Sequence, residues 1–391
     1  MSTIVDTWRE YSIAERDRRW NGVRAGAAMA GLDCVFVPLG NSIDARYLTQ
    51  IRGAVQSSCI VLPTDGREPT VITEYGTNNW ISEPHKVGRA WSEPMAQMLL
   101  DAGMQRARIG VAGLKGGTFS HVRSPDGVVN ETPFAHVMQR LPNATFEDAT
   151  DIVGAVRFVK SDEEIALLTR GAEIAEAAID EIVKVVAPGV DASLLYAVAM
   201  EKMLEMGSEF YPLALYIQQL GAPQGRRWTN PPHGIRLEKN TLITDEVSAV
   251  WGHLVAQEDQ PILVGSIPEA WKPVIDVQRD VFYAGLERMK PGTTFGELNE
   301  FVTGFGASRG LRTMTLMHGR GYGDDGPLIV RSEVPPGVDK IELQSGNVFI
   351  FKPIAQNADG TIEFTWGGDV VVTESGARPL FKRKHGMIEI R

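Results

Sequence analysis

The sequence has few cysteines and lacks any long apolar run. Only two of its 391 residues are cysteine, Cys34 and Cys59, which is too few for a zinc cluster or a disulfide framework. Both lie in apolar, strand-like stretches, so we expect them to be buried core thiols. No run of about 18 apolar residues occurs, and we therefore expect no transmembrane helix.

A surplus of basic residues is also missing. Lys and Arg number 39 against 49 Asp and Glu, which gives a formal net charge of −10. A nucleic-acid-binding protein would show a basic patch or stripe, so we expect no nucleic-acid partner. The first residues carry no apolar stretch behind a basic start. We therefore expect no signal peptide, no membrane partner and a cytoplasmic location.

The composition is that of an ordinary globular protein. Apolar residues make up 43% of the chain and charged residues 23%, which argues against extensive disorder. At about 150 residues per domain, this length predicts two or three domains.

The first part of the chain alternates helical and strand-like segments. Ser12 and Glu15 form a capping-box pattern that opens a helix reaching about Ala30. Apolar runs typical of strands follow at Cys34–Val37, Cys59–Leu62, Thr70–Thr73 and Arg108–Val111. This alternation predicts an α/β domain with a mixed sheet over residues 1–152.

The second part repeats one order of elements. A capping box at Ser161–Glu164 opens a long helix that Pro188-Gly189 ends, and a shorter helix follows. The order returns at Pro291-Gly292, which precedes a second capping box at Thr294–Glu297. Strand-like segments follow each helix pair. Residues 153–391 are therefore predicted to form two similar halves whose sheets enclose a cleft.

Several motifs in this second part resemble one known superfamily. They are Arg157–Ile165, the two Pro-Gly helix ends, His318–Gly321, Phe351–Pro353 and Val370–Gly376. In their order and spacing they resemble the creatinase, aminopeptidase P and methionine aminopeptidase superfamily. The resemblance implies an α+β chain with a C-terminal pita-bread fold and an N-terminal α/β domain of the creatinase type.

Peptidases of this superfamily hold two metal ions with two Asp, one His and two Glu. Carried over from the resemblance, these ligand positions fall on Asp245, Ala256, His318, Lys352 and Gly367. Ala256 and Gly367 offer no lone pair, and the Lys352 ammonium would repel a metal ion. A shift of one or two residues would bring Glu258 or Asp259 into a ligand position, and Glu363 is an alternative for the last one. We predict no metal and no cofactor.

The predicted catalytic residues are His318, Glu258, Lys352, Asp245 and His233. Lys352 stands in an apolar run, where an ammonium needs a partner, and we predict a salt bridge to Asp245. In the metal-independent creatinase branch, the resemblance implies that Glu258 engages a cationic nitrogen of the substrate. Without a metal, water needs a base, which is His318 or His233. The alternatives are a solvated lysine, a histidine without a catalytic role and an exposed strand glutamate.

The predicted substrate-binding residues are Trp228, Tyr216, Trp251, Arg320, Trp366 and Arg52. Aromatic faces attract organic cations and stack on flat substrates, and the alternative for each of them is core packing. An arginine such as Arg320 could stabilise an oxyanion beside Lys352. The creatinase resemblance implies that Arg52 reaches the cleft of a partner subunit, so we expect a homodimer.

Together these observations predict a metal-independent, creatinase-like or ectoine-hydrolase-like enzyme. It would hydrolyse a non-peptide C–N bond of a small nitrogen-containing metabolite. The alternatives are an Xaa-Pro metallopeptidase with displaced ligands, a lyase on the same fold and a catalytically silent binding module. The sequence leaves open the substrate, the choice between hydrolase and lyase, and which histidine is the base.

Overall fold

The chain divides into two compact units in a computed structural model. The structure describes residues 11–51, 58–74, 76–220 and 233–391, together with the backbone of residues 227–228. The described residues between 11 and 158 form the N-terminal unit together with residues 324–326, and the described residues of 159–323 and 327–391 form the C-terminal unit. The predicted boundary between residues 152 and 153 falls inside a helix, and the units part at the end of that helix.

The N-terminal unit is a mixed six-stranded sheet with helices. Its helices are α1 (Ile13–Met29), α2 (Ser42–Thr49), α3 (Ser92–Asp101), α4 (Glu131–Arg140) and α5 (Thr150–Phe158). Its strands are β1 (Cys34–Val37), β2 (Ser58–Pro63), β3 (Thr70–Thr73), β4 (His85–Lys86), β5 (Arg108–Val111) and β6 (Thr145–Asp148), in the order β4-β3-β2-β1-β5-β6. Cys34 and Cys59 are buried in its core, as predicted, and burial raises the pKa of both thiols.

Two helix pairs form the outer layer of the C-terminal unit. They are α6 (Asp162–Val185) with α7 (Ala192–Glu205), and α8 (Lys272–Arg288) with α9 (Phe295–Phe305). Both predicted capping boxes are present: Ser161 accepts a hydrogen bond from the Glu164 amide at 3.2 Å, and Thr294 accepts one from the Glu297 amide at 3.1 Å. The predicted Pro-Gly helix ends are confirmed as well, because α6 and α8 end just before them. Among the described residues, no helix combines the length and the apolar character needed to cross a membrane.

The strands that follow residue 158 in the chain form a large sheet and a small one. They are β7 (Ala214–Gln219), β8 (Arg227–Trp228), β9 (Thr241–Trp251), β10 (Leu254–Asp259), β11 (Ile262–Val264), β12 (Arg312–Met314), β13 (Met317–Arg320), β14 (Asp324–Ile329), β15 (Val348–Phe351), β16 (Ile354–Gln356), β17 (Glu363–Thr365), β18 (Gly367–Thr373), β19 (Gly376–Pro379) and β20 (Ile388–Ile390). The strand order of the large sheet is β14-β13-β15-β18-β10-β9-β11-β20. Outside this order, β7 pairs with β9 and β8, and β19 pairs with β18. The small sheet has the order β12-β16-β17.

The helices cover one face of the large sheet, which we call the helix face. Val247 and Ala249 of β9 pack into the same core as α6, and a Cβ at Gly171 of α6 would lie 2.9 Å from the Cβ of Ala256. In β15, Phe351 stacks on Phe282 of α8 with ring centroids 5.6 Å apart. Side chains alternate along a strand, so the residues between these positions point to the opposite face, which we call the inner face.

Candidate active site

A lysine held between two carboxylates lies at the centre of the inner face. The Lys352 Nζ atom is 2.9 Å from Glu246 Oε1 and 2.9 Å from Asp259 Oδ2. The side chains of Lys352 and Asp259 are 5% and 8% exposed, whereas that of Glu246 is 35% exposed. We call these three residues the lysine clamp. Glu246 is the end of the clamp that solvent or a small molecule can reach.

Strand register builds the clamp. β9 and β10 pair antiparallel, with Glu258 opposite Val247, so that Glu246 and Asp259 become neighbours on the inner face. Asp259 in turn pairs with Gly367 of β18. A Cβ at Gly367 would collide with the carbonyl oxygen of Phe351 and lie 3.1 Å from the Cα of Lys352. Only a glycine therefore lets the start of β18 lie this close to the backbone of Phe351 and Lys352.

The clamp carries charge at neutral pH. Burial alone would lower the pKa of Lys352, but the Asp259 and Glu246 carboxylates outweigh it and raise that pKa. Burial raises the pKa of Asp259 to about 6, against the lowering effect of the Lys352 ammonium. With Lys352 protonated and both carboxylates ionised, the clamp has a net charge of −1.

A second polar cluster shares the inner face. Arg320 is fully buried and donates from Nη2 to Ser248 Oγ at 3.1 Å. Asp369 Oδ2 accepts a hydrogen bond from the Gln257 amide at 3.0 Å, and within the described chain Asp369 Oδ1 has no hydrogen-bond partner. Burial raises the pKa of Asp369 to about 7, although Arg320 opposes this rise. Asp369 can therefore gain or lose a proton near neutral pH.

His318 lies on the same face. It pairs with Ile350 of β15, whose side chain points away from the helices. Its Nδ1 atom is 2.9 Å from the carbonyl oxygen of Gly319, so Nδ1 carries the proton and Nε2 is the proton acceptor. This tautomer, assigned from the hydrogen bond, suits a general base.

A cavity of about 260 Å³ extends along the inner face. Its lining includes Gln218, Leu242, Thr244, Trp271, Glu363 and Thr365. Leu242 and Thr244 share a face of β9 with Glu246, and Thr365 Oγ1 donates to the carbonyl oxygen of Lys352 at 3.1 Å. Tyr216 pairs with Thr244, which places its side chain on the same face. The cavity and the clamp thus share the inner face of β9, where the lining residue Thr244 lies two positions from Glu246.

Two of the predicted catalytic residues point away from this face. Asp245 and Glu258 lie on the helix face, and both are almost fully buried. Asp245 Oδ1 accepts a hydrogen bond from the Gln260 amide at 2.7 Å, and burial raises its pKa well above the usual range. Burial, with Glu176 nearby, does the same for Glu258.

The predicted salt bridge between Lys352 and Asp245 is therefore wrong by one residue. Each predicted carboxylate is followed by the one that Lys352 contacts, namely Glu246 and Asp259, and neighbours on a strand point to opposite faces. Glu246 is not among the predicted site residues, and Asp259 enters the prediction only if the ligand positions shift by one or two residues. The core packing of Val247 and Ala249 assigns the faces, and the apolar pattern Val247-x-Ala249 was the available signal.

Two predicted substrate-binding tryptophans, Trp251 and Trp366, differ in burial. Trp251 lies on the helix face, where the Arg170 guanidinium is 5.5 Å from its ring centroid. Trp366 is 1% exposed, with ring centroids 5.0 Å from Phe282 and 5.4 Å from Phe381. The Trp366 ring is packed in the core, which favours the core-packing alternative, whereas Trp251 is only partly buried and its predicted role stays a prediction.

The remaining predicted residues are placed only in part. His233 is exposed, and no described contact links it to the inner face. For Trp228 only the backbone is described, paired with Tyr216. Arg52 lies outside the described residues. The roles of Tyr216, Arg320, His318 and Lys352 stay predictions, with all four side chains on the inner face.

Comparisons with known proteins agree with the fold described above. The sequence profile of metallopeptidase family M24 matches residues 166–374. An Xaa-Pro dipeptidase of Pyrococcus horikoshii is 24% identical over 277 residues, 67% of this chain and 74% of that protein. The ectoine hydrolase of Halomonas elongata is 26% identical over 259 residues, 62% of this chain and 63% of that protein.

Solved structures extend the likeness to nearly the whole chain. An Xaa-Pro dipeptidase from Bacillus anthracis has a TM-score of 0.76 at 17% identity and covers 96% of this chain and 100% of that chain. The prolidase from Pyrococcus horikoshii has a TM-score of 0.72 at 17% identity, covering 95% and 99%. The predicted pita-bread fold with an N-terminal domain is confirmed.

The residues of the inner face do not fit a pair of metal ions. Across the described ranges, no three His, Cys, Asp or Glu side chains come together in a way that could hold a metal ion. On the inner face, the carboxylates of Glu246 and Asp259 both contact the Lys352 ammonium. The last carried-over position, Gly367, has no room for a side chain. A metal ion would need these carboxylates, and an ammonium repels it at contact distance.

Proposed function

The chain belongs to metallopeptidase family M24, and from this premise we propose that it is a hydrolase that works without the metal pair of that family. Its proposed reaction is the cleavage of a non-peptide C–N bond in a small nitrogen-containing molecule. The single observation that carries this proposal is the lysine clamp, in which the Lys352 ammonium neutralises the carboxylates of Glu246 and Asp259.

The inner face supplies the groups that such a hydrolysis needs. A base must take a proton from water, and His318 offers its Nε2 atom while Glu246 offers an exposed carboxylate. The attacked carbon becomes tetrahedral with a negative oxygen or nitrogen, which Lys352 or Arg320 can stabilise. The base then gives the proton that it took from water to the leaving nitrogen. No described contact brings His233 to the inner face, so we favour His318 as the histidine that acts as the base.

The relatives support two reactions on this fold. One curated relative is an ectoine hydrolase, which supports a non-peptide substrate, and its identity to this chain is 26%. Xaa-Pro dipeptidases also match, which favours a metallopeptidase as the second candidate. The two candidates differ in their need for a metal ion: the dipeptidase alternative requires one, and the proposed reaction does without one.

An activity screen with and without a chelator separates these candidates. Purified protein would be offered small amides, cyclic amidines and Xaa-Pro dipeptides, each with EDTA or with added Mn²⁺ or Co²⁺. We expect hydrolysis of an amide or amidine at the same rate in both conditions. Cleavage of an Xaa-Pro dipeptide that EDTA abolishes and Mn²⁺ restores would establish the alternative.

The predicted homodimer belongs to this proposal, as does the cytoplasmic location. In the creatinase-like arrangement, each partner would cover the other's inner face with its N-terminal unit. Light scattering across a concentration series tests the dimer, and a monomer at the concentration of the activity screen contradicts it.

A further inference from the structure

The cavity on the inner face has a polar wall of uncharged side chains. Gln218 of β7 and Thr244 of β9 line it, on two strands that pair with each other. Within the described chain no hydrogen bond engages the Gln218 amide or the Thr244 hydroxyl, so both groups can bond to a bound molecule. Each of them offers a donor and an acceptor. Leu242, Pro261 and Trp271 add apolar surface to the lining, which suits a small molecule with one polar end.

The charge in the described lining of this cavity is already neutralised. The ionisable side chain there is that of Glu363, whose Oε1 and Oε2 atoms accept hydrogen bonds from Arg331 at 3.1 and 2.6 Å. Gln356 Nε2 donates a further hydrogen bond to Glu363 Oε2 at 3.0 Å. With both oxygens engaged, Glu363 does not act as the counter-ion of a ligand. Burying an ionic group here therefore costs more than burying an uncharged amide of the same size.

Two of the lining threonines relate the cavity to the lysine clamp. Thr365 donates from Oγ1 to the carbonyl oxygen of Lys352 at 3.1 Å. Thr244 and Glu246 share the inner face of β9 two positions apart, and at ~3.4 Å per residue their Cα atoms are roughly 7 Å apart. The clamp has a net charge of −1, which repels a carboxylate held at this distance. The clamp therefore adds to the disadvantage of an anionic ligand.

We propose that this cavity binds the substrate of the proposed reaction through an uncharged amide group, and that Gln218 selects this group. A primary amide has a carbonyl that accepts and an N–H that donates, so it pairs with both halves of the Gln218 side chain. A carboxylate lacks the donor and an ammonium lacks the acceptor, so each leaves one half of Gln218 without a partner. This inference rests on the proposed function, because it names the substrate class for the same inner face.

Three probes of matched length test the selection. Butyramide is uncharged, butyrate is anionic and butylammonium is cationic. Saturation-transfer NMR on the full-length protein would measure their dissociation constants. We expect that of butyramide to be about tenfold lower than that of butyrate and about threefold lower than that of butylammonium. Either ion binding as tightly as butyramide, or no binding of butyramide, overturns the proposal.

Matched variants locate the binding. Gln218→Arg places a guanidinium in the cavity and should reverse the preference, with butyrate binding about tenfold more tightly than to the wild type. Gln219→Arg is the control, because Gln219 is the next residue of β7, lies outside the lining and donates to the carbonyl oxygen of Lys239 at 2.7 Å. It should leave the dissociation constants of butyramide and butyrate unchanged. An unchanged circular dichroism spectrum confirms the fold of each variant. Wild-type affinities for both probes in folded Gln218→Arg place the ligand elsewhere and overturn the proposal.

This proposal and the proposed function fail in different ways. The probe measurements need no turnover, so they give a result whatever reaction the protein catalyses. Cleavage of an Xaa-Pro dipeptide that EDTA abolishes would contradict the proposed function and leave the preference for butyramide intact. Tighter binding of butyrate to the wild type would contradict the selection by Gln218, even if an amide is hydrolysed at the same rate with and without EDTA.

Discussion

Each unit of this protein buries one cation between two carboxylates, but only one of the two arrangements reaches solvent. In the N-terminal unit Arg157 holds Asp44 and Asp325, and all three side chains are 6% exposed or less. In the C-terminal unit Lys352 holds Asp259 and Glu246, and Glu246 is 35% exposed. The arginine arrangement fixes neighbouring segments of its unit. The lysine clamp also leaves one of its carboxylates, that of Glu246, partly exposed to solvent.

The largest expected effect is on the fully buried arrangement. Arg157→Met leaves Asp44 and Asp325 without their cation, and breaking a buried pair in this way costs ~3–5 kcal/mol of the free energy of unfolding. Urea denaturation followed by circular dichroism measures the loss. Arg123→Met is the control, because Arg123 is 73% exposed and its ion pair with Asp324 contributes little. Equal effects of the two substitutions would contradict a structural role for Arg157.

A smaller loss of stability is expected when the clamp loses its cation. Lys352→Met leaves Asp259 buried beside Glu246, but Glu246 is partly hydrated, so we expect a loss of ~2–3 kcal/mol in the free energy of unfolding. The same variant should gain affinity for Mn²⁺, since two carboxylates are released from the ammonium. Urea denaturation and a Mn²⁺ titration measure the two effects. Lys382→Met, with a side chain 78% exposed, should show neither. If the free energy of unfolding of Lys352→Met equals that of the wild type, the ion pairs of Lys352 do not stabilise the fold and this prediction is wrong.

The raised pKa of Asp369 predicts how the stability of the protein changes with pH. Its folded-state pKa is raised to about 7 by burial, whereas an unfolded Asp titrates near 3.9. Between these values the folded state binds the extra proton, so the wild-type protein loses stability as pH rises from about 4 to 7. Relative to Asp369→Asn, we expect this loss to be roughly 2 kcal/mol in urea denaturation at pH 5 and pH 8. Parallel stability curves for the two proteins would refute the shift.

The smallest effect on stability is expected at the exposed end of the clamp. Glu246→Gln keeps the size of the side chain and leaves Asp259 to neutralise Lys352. The free energy of unfolding should therefore change by less than about 1 kcal/mol. If Glu246 exchanges a proton with water or substrate, the turnover number should fall by ~10²–10⁴-fold. Asp259→Asn reverses the pattern, with a clear loss of stability. A Glu246→Gln variant with full turnover contradicts the role of Glu246 in the proposed function.

The fold could be predicted from patterns among residues a few positions apart. The site could be predicted only in part, because it depends on contacts between residues that are far apart in sequence. The capping boxes at Ser161 and Thr294 and the Pro-Gly helix ends involve residues a few positions apart, and the structure contains all of them. The choice between Asp245 and Glu246 depends on which face of β9 meets α6, which no single segment determines. Asp44, Arg157 and Asp325 lie more than a hundred residues apart in sequence, so only the folded chain brings them together.

The central claim is that Lys352 occupies the place that a metal pair would need, and the metal content of the purified protein tests it most directly. The protein would be dialysed against Mn²⁺, freed of unbound metal and analysed by elemental mass spectrometry, with Lys352→Met treated in parallel. The account predicts no stoichiometric Mn, Fe, Co or Zn in the wild-type protein and more bound Mn²⁺ in the variant. One or two metal ions retained per wild-type chain would contradict it.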